Sequence, residues 1–500
     1  MGSNQGDPGV RGECGAAEVG TYKALGRSGP KHLGKSEGLI VLMKPTDSIT
    51  SAEGRSPASV GRSLGEEGPV TATGKSLLAQ RTIKKVRVLQ ETLYRAAKEN
   101  PRRTFGVLYD KVCRWEVLWE AWYRVRRNRG APGVDGRTIE AIKAQGEVAF
   151  IKGIQAQLST KQYRPQAVRR VFIPKGRGRF RALGIPVVQD RVIQGAVRLV
   201  LEPIFEANFC EGSYGFRPGR GCREAIAAVR KWVTFGYSHV IDADVAACFD
   251  SIDHELLLEL VQRRVRDKWV LRLVRWWLKA GIMEVNQVRT PVRGTPQGGV
   301  LSPMLANVAL HPLDKYWEQQ HPDTKLVRYA DDVVVLSRWR PAEAYMPSFE
   351  RMVARLKLQL SAEKTRIVEA EAGFDFLGVH FVRKPTRRRG TKVFCYTFPT
   401  AKAMSHVRQR VREELGSEVR RPLSEAIKYL NPILRGWSEY YRWLNSAHHF
   451  RKVDQYVVFK LQRWLRRKQQ RTKRAFRRPP AEWWWEQGLF RCSGRSVRIW

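Results

Sequence analysis

The sequence predicts an α+β fold, in which a region of mixed strands and helices precedes an all-helical region. Between about residues 165 and 385, short apolar runs at 168–173, 239–244 and 325–329 have the length and β-branched content of strands. Amphipathic segments at 253–265 and 349–360 have helical spacing. Beyond about residue 400, apolar residues recur at helical spacing alone, and this change of period separates the two regions.

Five segments follow from composition and periodicity. Residues 1–78 are rich in Gly, Ser and Pro, and we expect them to be disordered. Residues 79–165 are predicted to be helical as far as a turn-rich stop at 130–136. Residues 166–385 form the mixed region, 386–470 the helical region and 471–500 a basic, aromatic tail. Within the helical region, Asn431 and Pro432 predict the start of a helix, as cap and first helical residue.

The net charge of the chain limits the classes of molecule that it is expected to bind. Lys and Arg number 90 against 48 acidic residues, which leaves a net charge of +42. A surface this basic indicates a polyanionic partner, and nucleic acid is the obvious one. The seven cysteines contain no CxxC pair, which disfavours zinc ribbons and suits a reducing compartment. No signal peptide and no apolar run of ~20 residues is evident, so we expect a soluble protein of the cytoplasm with no membrane partner.

Two adjacent carboxylates stand between apolar strands at Asp331 and Asp332, in the tetrapeptide YADD (329–332). If these strands pair as a hairpin, the two anions lie at its turn and raise each other's pKa. A divalent cation with hard oxygen ligands, Mg²⁺ or Mn²⁺, removes that penalty. The alternative is an ordinary surface turn.

A third acid, Asp244, ends the apolar strand at 239–244. If it meets the hairpin aspartates, three carboxylates can hold two metal ions roughly 3.5–4 Å apart, the geometry of phosphoryl transfer. The alternative, that the acids near this strand are helix caps, suits Asp250 or Asp253 better than Asp244.

Two further segments point to a nucleotide. The loop TPQGGVLSP (295–303) combines paired glycines with Gln297, which can bond an incoming nucleotide or a template base. Residues 169–181 read as a strand, a Gly-rich turn and a returning strand, on which Lys175 and Arg181 can hold a triphosphate. The alternative is a solvated charge run. Arg177 and Arg179 are assigned to template contacts or to solvent.

Taken in order, these motifs resemble the reverse transcriptases encoded by group II introns, in the form that lacks an endonuclease. The resemblance covers roughly residues 80–470. The blocks that carry it are GAPGVDG (130–136), SYGFRP (213–218), ADVAACFD (243–250), TPQGGVLSP (295–303), YADD (329–332), AEKT (362–365) and FLG (376–378).

The resemblance implies a right-hand polymerase with fingers, an antiparallel palm sheet and a helical thumb. It implies that Asp244, Asp331 and Asp332, with the carbonyl of Val245, bind two Mg²⁺ ions, for which Mn²⁺ can substitute. The implied nucleotide pocket and primer grip comprise Phe249, which gates the sugar, Gln297, Lys364, which donates a proton to pyrophosphate, and Gly378.

The helical region resembles the thumb or maturase domain of the same family. Its basic side is expected to bind RNA through Lys460, Arg463, Arg466 and Arg467. Arg169 and Arg170, from the strand at 168–173, are also expected to bind RNA. Trp437 and Tyr441 stack on bases or fill the core, and core packing is favoured. The tail at 471–500 is either a DNA-binding remnant or a packed cap.

The function expected from these resemblances is RNA-directed DNA synthesis together with splicing assistance and target-primed retrohoming. The expected partners are the intron RNA, an RNA template, a DNA primer or target, and dNTPs. Two alternatives stay open: a host-adopted reverse transcriptase in defence or repair, and a splicing-only maturase.

Overall fold

The structure, a computed structural model, describes residues 72–176, 179–284, 287–289, 293–294, 298–386, 393–416, 421–470 and 477–495, all within one compact unit, Arg55–Trp500. The predicted leader, residues 1–78, therefore lies almost entirely outside the described residues. Its boundary at about residue 78 stays a prediction; the first helix of the described residues begins at Ala72.

The helices are α1 (Ala72–Glu99), α2 (Tyr109–Val112), α3 (Trp115–Arg127), α4 (Ile139–Gln145), α5 (Glu147–Ser159), α6 (Val188–Glu206), α7 (Cys222–Thr234), α8 (Cys248–Ser251), α9 (His254–Gln262), α10 (Lys268–Lys279), α11 (Ser302–Gln320), α12 (Met346–Arg355), α13 (Ala401–Gly416), α14 (Leu423–Tyr441), α15 (Ala447–Lys468) and α16 (Ala481–Glu486). The strands are β1 (Val168–Gly176), β2 (Arg179–Ile185), β3 (His239–Asp244), β4 (Ile282–Glu284), β5 (Gln287–Arg289), β6 (Lys325–Tyr329), β7 (Asp332–Ser337), β8 (Arg366–Glu369), β9 (Phe374–Phe376), β10 (Val379–Pro385) and β11 (Val393–Pro399).

The strands form three sheets. One has the order β2-β1-β4-β5, with β1 and β4 parallel. The second, which we call the central sheet, has the order β6-β7-β3-β8, and its neighbouring strands are antiparallel. The third has the order β11-β10-β9. This mixture of separate sheets and helices confirms the predicted α+β class.

The central sheet is covered on both faces. Val240, Val334 and Leu336 belong to one core with α7 and helices α13 to α15, whereas Ile241 and Val335 belong to another with α11 and α12. Side chains alternate between the faces of a strand, so a strand buried on both sides is apolar throughout. An acidic residue at the end of such a strand therefore interrupts the apolar pattern and can be recognised in the sequence.

Asn431 does not begin a helix, and that prediction is wrong. Helix α14 continues through Pro432, while Ile427, Leu430 and Leu434 stay buried in one stripe. The packing of this stripe outweighs the backbone hydrogen bond that a proline inside a helix removes. Asn431 instead holds the C-terminal segment: its amide nitrogen donates to the carbonyl of Gly488 (2.9 Å), and its amide oxygen accepts from the backbone NH of Phe490 (2.8 Å).

None of the helices in the described part of the chain has the length and apolar character needed to cross a bilayer.

Candidate active site

Three aspartates meet at one end of the central sheet. Asp244, the last residue of β3, pairs in register with Asp332, the first residue of β7. Residues paired across antiparallel strands point to the same face, with Cβ atoms about 4.5–5.5 Å apart. Asp331 lies in the adjoining β6–β7 turn, and its carbonyl accepts a hydrogen bond from the backbone NH of Val245 (3.2 Å). The structure thus brings together the three acids that the sequence singled out.

The turn that carries Asp331 is short and tightly supported. Tyr329 pairs with Asp332, which leaves a two-residue loop, and Ala330 adopts a φ of 58°. Two-residue hairpin loops need a positive φ at such a position because it matches the twist of the strands. Gly215 packs against this turn, and a Cβ atom on it would lie 2.4 Å from the backbone nitrogen of Ala330. The block SYGFRP therefore needs its glycine to support the aspartates.

The charged groups at this site shift the pKa of Asp331 in opposite directions. Burial raises the pKa of Asp331, and the Asp244 carboxylate raises it further, whereas Lys364 and Arg181 lower it. The ammonium of Lys364 lies 2.7 Å from Oδ1 of Asp244. Lys364 and Arg181, two of the three cations that the sequence assigned to the nucleotide, thus act electrostatically on Asp331.

A fourth acid, Asp242, lies on the same face of β3, two residues before Asp244. Burial raises its pKa to about 7, and the Asp332 carboxylate adds to the shift. Asp242 was given no role from the sequence, although the alternation Asp242-Ala243-Asp244 places both acids on one face of a strand. Its burial favours the neutral carboxyl group and so lessens the negative charge at this end of the sheet.

The residues at this site suit a hard divalent cation. Carboxylate oxygens are ligands that Mg²⁺ accepts, and a cation at this site would offset the burial and the Asp244 charge that raise the pKa of Asp331. Within the described residues, no group of three acids, histidines or cysteines is already arranged to hold a metal. Lys364 donates to Oδ1 of Asp244 at 2.7 Å, so this lysine and a cation at the site would share the Asp244 carboxylate.

Behind the turn lies a buried arginine. Arg328 on β6 is fully buried, and its guanidinium bonds both carboxylate oxygens of Asp314 at 2.7 and 2.5 Å. It also donates to Asn307 Oδ1 (3.1 Å), to Ser213 Oγ (2.9 Å) and to the carbonyl of Ala330 (3.1 Å). Burial lowers the pKa of Arg328, but the Asp314 carboxylate more than offsets this and leaves the pKa raised.

Arg328 and Asp314 were not predicted from the sequence. The available signal was a charged residue inside the otherwise apolar strand before YADD, since arginine is rarely buried without a partner. The hydrogen bond from Arg328 to the Ala330 carbonyl connects helix α11 and the block SYGFRP to the turn of the aspartates.

Phe249 lies on the first turn of α8, which begins shortly after Asp244 in the chain. Its ring packs partly against the apolar core and meets Phe216 edge-on at 6.1 Å between centroids. Phe216 in turn lies 6.4 Å from the ring of Tyr329. Phe249 therefore has the packing role that any aromatic residue here would have.

The strands β1 and β2 pair as the hairpin that the sequence predicts, and Arg181 is exposed on β2. Arg169 is half-buried and Arg170 exposed, with its guanidinium 5.6 Å from the ring centroid of Phe172. Arg177, Gln297 and the side chains of Lys175 and Arg179 lie outside the described residues. Gly298 supports the loop prediction, because a Cβ atom there would lie 2.2 Å from the carbonyl oxygen of Gly184 on β2.

Two parts of the chain match known families. Residues 173–381 match the reverse transcriptase (RNA-dependent DNA polymerase) family, and residues 404–483 match the group II intron maturase-specific domain. Protein YkfC of Escherichia coli is 32% identical over 355 residues, which cover 63% of this chain and 93% of that protein. The group II intron-encoded protein LtrA of Lactococcus lactis is 36% identical over 238 residues.

The chain belongs to the group II intron-encoded reverse transcriptase and maturase family. It is accordingly an RNA-directed DNA polymerase and maturase of the kind that acts in group II intron splicing and mobility, with the metal dependence general to reverse transcriptases. The match to LtrA covers 47% of this chain but only 39% of LtrA. A protein in a cob intron of Schizosaccharomyces pombe is 37% identical over 212 residues, 42% of this chain and 26% of that protein.

In this reverse transcriptase the turn at Gly378 is fastened to the maturase domain. Val379 pairs with Phe376, so Leu377 and Gly378 form a two-residue loop with φ values of 49° and 74°. The hydroxyl groups of Tyr440 and Tyr441 donate to the carbonyls of Leu377 (2.8 Å) and Gly378 (3.2 Å). Helix α14 thereby holds the turn for which the resemblance implied a primer grip.

In the maturase domain, the residues that pack in the core and the basic residues lie on different sides of the helices. Tyr441 is buried, and Trp437 packs against the same core with its ring 5.5 Å from that of Phe450, so core packing is confirmed for both residues. On the other side of α15, Arg463 and Arg467 are exposed, and Lys460 and Arg466 are half-buried. Arg463 and Lys460 flank the exposed ring of Phe459 at 5.7 and 6.0 Å.

The described part of the tail, residues 477–495, packs as a cap. Trp484 and Cys492 are fully buried, and the Asp454 carboxylate accepts hydrogen bonds from the backbone NH groups of Cys492 (2.8 Å) and Ser493 (2.9 Å). This arrangement supports the second of the two alternatives for these residues.

Proposed function

We propose that this chain is a right-hand polymerase in which residues 79–385 form fingers and palm and residues 386–470 form a thumb that also serves as the maturase domain. The central sheet is the palm in this proposal. The observation that carries it is the register of Asp244 with Asp332, beside the turn of Asp331.

Asp244, Asp331 and Asp332, with the carbonyl of Val245, are proposed to hold two Mg²⁺ ions, for which Mn²⁺ can substitute. When bound, such ions activate the primer 3′-hydroxyl and neutralise the leaving pyrophosphate. The work of the protein is to keep three anions together at the end of a rigid sheet.

The cations around the aspartates are assigned to the nucleotide. Lys364, which donates to Oδ1 of Asp244, is proposed to contact the triphosphate and donate a proton to pyrophosphate. Arg181, whose charge reaches Asp331, would hold the triphosphate from the other side, together with Lys175. Phe249 would pack under the sugar and exclude a 2′-hydroxyl, with Gln297 completing the nucleotide pocket and Gly378 the primer grip.

The partners follow from charge and family. We propose the intron RNA as the splicing partner, and an RNA template, a DNA primer or target and dNTPs for target-primed synthesis. Arg169, Arg170, Arg177 and Arg179 would contact the template. Lys460, Arg463, Arg466 and Arg467 would contact phosphates of the intron RNA. A carboxylate cluster of this kind favours a polymerase over a splicing-only maturase, which needs no such cluster.

Primer extension is the direct test. The protein should extend a DNA primer on an RNA template with dNTPs and Mg²⁺, and removal of Mg²⁺ with EDTA should stop synthesis completely while RNA binding persists. A splicing assay with the intron transcript runs alongside as a measure of the maturase function. Extension by metal-stripped protein would contradict the assignment of the aspartates.

RNA affinity should fall steeply with salt, because each phosphate contact releases counterions. We expect replacement of Arg463 and Arg467 by alanine to reduce the slope of log affinity against log salt concentration by about 0.7–0.9 for each phosphate that is no longer neutralised. Arg263→Ala is the matched control, since Arg263 is also exposed but is ion-paired with Glu259 (3.2 Å). An unchanged slope in the double variant would remove this face of α15 from the RNA interface.

A further inference from the structure

The central sheet carries a second cluster of functional side chains at the end opposite the aspartates. In β3 and β7, Asp244 pairs with Asp332 at one end and His239 with Ser337 at the other. The two pairs are five residue steps apart along β3, or about 17 Å at the usual rise per residue. The C-terminus of α7, the start of β6 and the loop after β7 are all at this far end. We call the cluster the sheet-base patch; it comprises Lys231, Trp232, Phe235, Lys325, Arg338 and Trp339.

The patch presents aromatic rings to solvent. Trp339 is 75% exposed, the highest value among the exposed large apolar side chains of the described residues, and Phe235 is 56% exposed. The ring of Phe235 meets Trp232 edge-on at 6.2 Å between centroids. Single exposed apolar residues are common on protein surfaces, but neighbouring exposed aromatic rings mark interaction sites.

Arg338 connects the two parts of the patch. Its guanidinium carbon lies 4.5 Å from the ring centroid of Trp339. On its other side, its Nε atom lies 3.4 Å from where a Cβ atom on Gly236 would be, next to Phe235. The loop after β7 and the end of α7 therefore form one continuous surface.

Positive charge surrounds the rings. The ammonium groups of Lys231 and Lys325 lie 4.7 and 5.1 Å from the ring centroid of Trp232. Across the described residues, no carboxylate is ion-paired with Lys231, Lys325 or Arg338. The nearby Arg383 differs, because it pairs with Glu371 at 2.6 Å. The patch thus offers unneutralised cations beside ring faces that remain open to solvent.

We propose that the sheet-base patch is a second RNA-binding surface, which holds an unpaired segment of a folded RNA outside the polymerisation site. Bases would stack on Trp339 and Phe235, and phosphates would pair with Arg338, Lys231 and Lys325. A protein partner fits less well, because the centres of protein interfaces are depleted in lysine. The proposal rests on the proposed function in that it requires an RNA partner, but it makes no use of the aspartates.

The test compares RNA binding with polymerisation. Affinity is measured with a folded group II intron transcript at fixed salt, with only the divalent metal needed to fold the RNA. Extension is measured with a DNA primer on a short unstructured RNA template. The variant Phe235→Ala/Trp339→Ala should bind the transcript about tenfold or more weakly, and its extension rate on the short template should stay within twofold of wild type. Both side chains are exposed, so its Tm should not change.

The matched control is Tyr123→Ala. Tyr123 is also an exposed aromatic residue under an arginine, Arg126, at 5.5 Å, but that arginine is neutralised by Glu147 at 2.9 Å. We expect wild-type affinity in this control. A second variant, Lys231→Gln/Arg338→Gln, should lower the salt dependence of transcript binding while the aromatic rings remain.

Three results would overturn the proposal. The first is wild-type affinity in the aromatic variant. The second is an equal loss of extension on the short template, which would assign the patch to the template path. The third is a wild-type dimer that dissociates in the variant, which would assign the patch to a second copy of the chain. A wild-type protein that fails to extend any primer would contradict the proposed function but would leave the binding comparison valid.

Discussion

Asp331→Asn should abolish cDNA synthesis and leave RNA binding intact. The amide keeps the shape of the carboxylate but removes the charge that a divalent cation needs. Metal stabilisation of phosphoryl transfer amounts to several kcal/mol, and each ~1.4 kcal/mol corresponds to tenfold in rate, so we expect a loss on the order of 10³-fold or more. Primer extension on an RNA template measures this loss, and transcript affinity measures RNA binding.

The stability of the Asp331→Asn variant shows whether a loss of activity comes from the catalytic step or from unfolding. Burial and the Asp244 carboxylate raise the pKa of Asp331, so its ionised form destabilises the metal-free protein once the pH rises above the unfolded pKa. The neutral asparagine removes this penalty, and the free energy of unfolding at neutral pH should be unchanged or higher. Added Mg²⁺ should raise the Tm of the wild type but not of the variant.

Asp110→Asn, on the exposed surface of α2, is the control and should retain full polymerase activity. Robust cDNA synthesis by Asp331→Asn would refute the metal assignment, because no other acid in the β6–β7 turn could replace this ligand.

Arg328→Met should impair both stability and polymerisation. It leaves the Asp314 carboxylate buried without its partner, and breaking a buried ion pair in this way costs about 3–5 kcal/mol. It also removes the bond to the Ala330 carbonyl that holds the turn of Asp331. Urea unfolding measures the first effect, and primer extension at a temperature where the variant is folded measures the second.

The double variant Arg328→Met/Asp314→Leu separates the two effects. Replacing both members of a buried ion pair by apolar residues is often neutral or stabilising, so the free energy of unfolding should recover. Polymerase activity should stay low, because the Ala330 carbonyl still lacks its donor. If activity recovered together with stability, Arg328 would serve only to neutralise Asp314, and its role in positioning the turn would be ruled out.

Sequence patterns predicted the elements of the site well. Each strand that carries an aspartate was recognisable as an apolar run, and the acids Asp244, Asp331 and Asp332 were recognisable because a charge at the end of a buried strand is costly. The same reasoning should have identified Arg328, a cation within such a strand. It did not, because its partner Asp314 lies on a helix whose position beside β6 is not encoded locally.

Other features escaped prediction because they depend on distant contacts. Asn431-Pro432 has the local pattern of a helix start, yet α14 runs through it, since its buried stripe and the contacts of Asn431 with the C-terminal segment outweigh the local preference. The sheet-base patch joins the end of α7 to the loop after β7, which are about a hundred residues apart in the chain. No periodicity or motif connects such segments.

The sequence by itself determined the strand and helix classes, the basic character of the protein and which acids belong at the ends of strands, because these follow from local periodicity and from the cost of unpaired charge. Only the tertiary structure decided that Asp244 stands in register with Asp332, that Arg328 holds the turn beside them, and that the ammonium of Lys364 lies against the Asp244 carboxylate. Strand register and buried ion pairs are set by packing between segments distant in the chain, and no local pattern of residues specifies them.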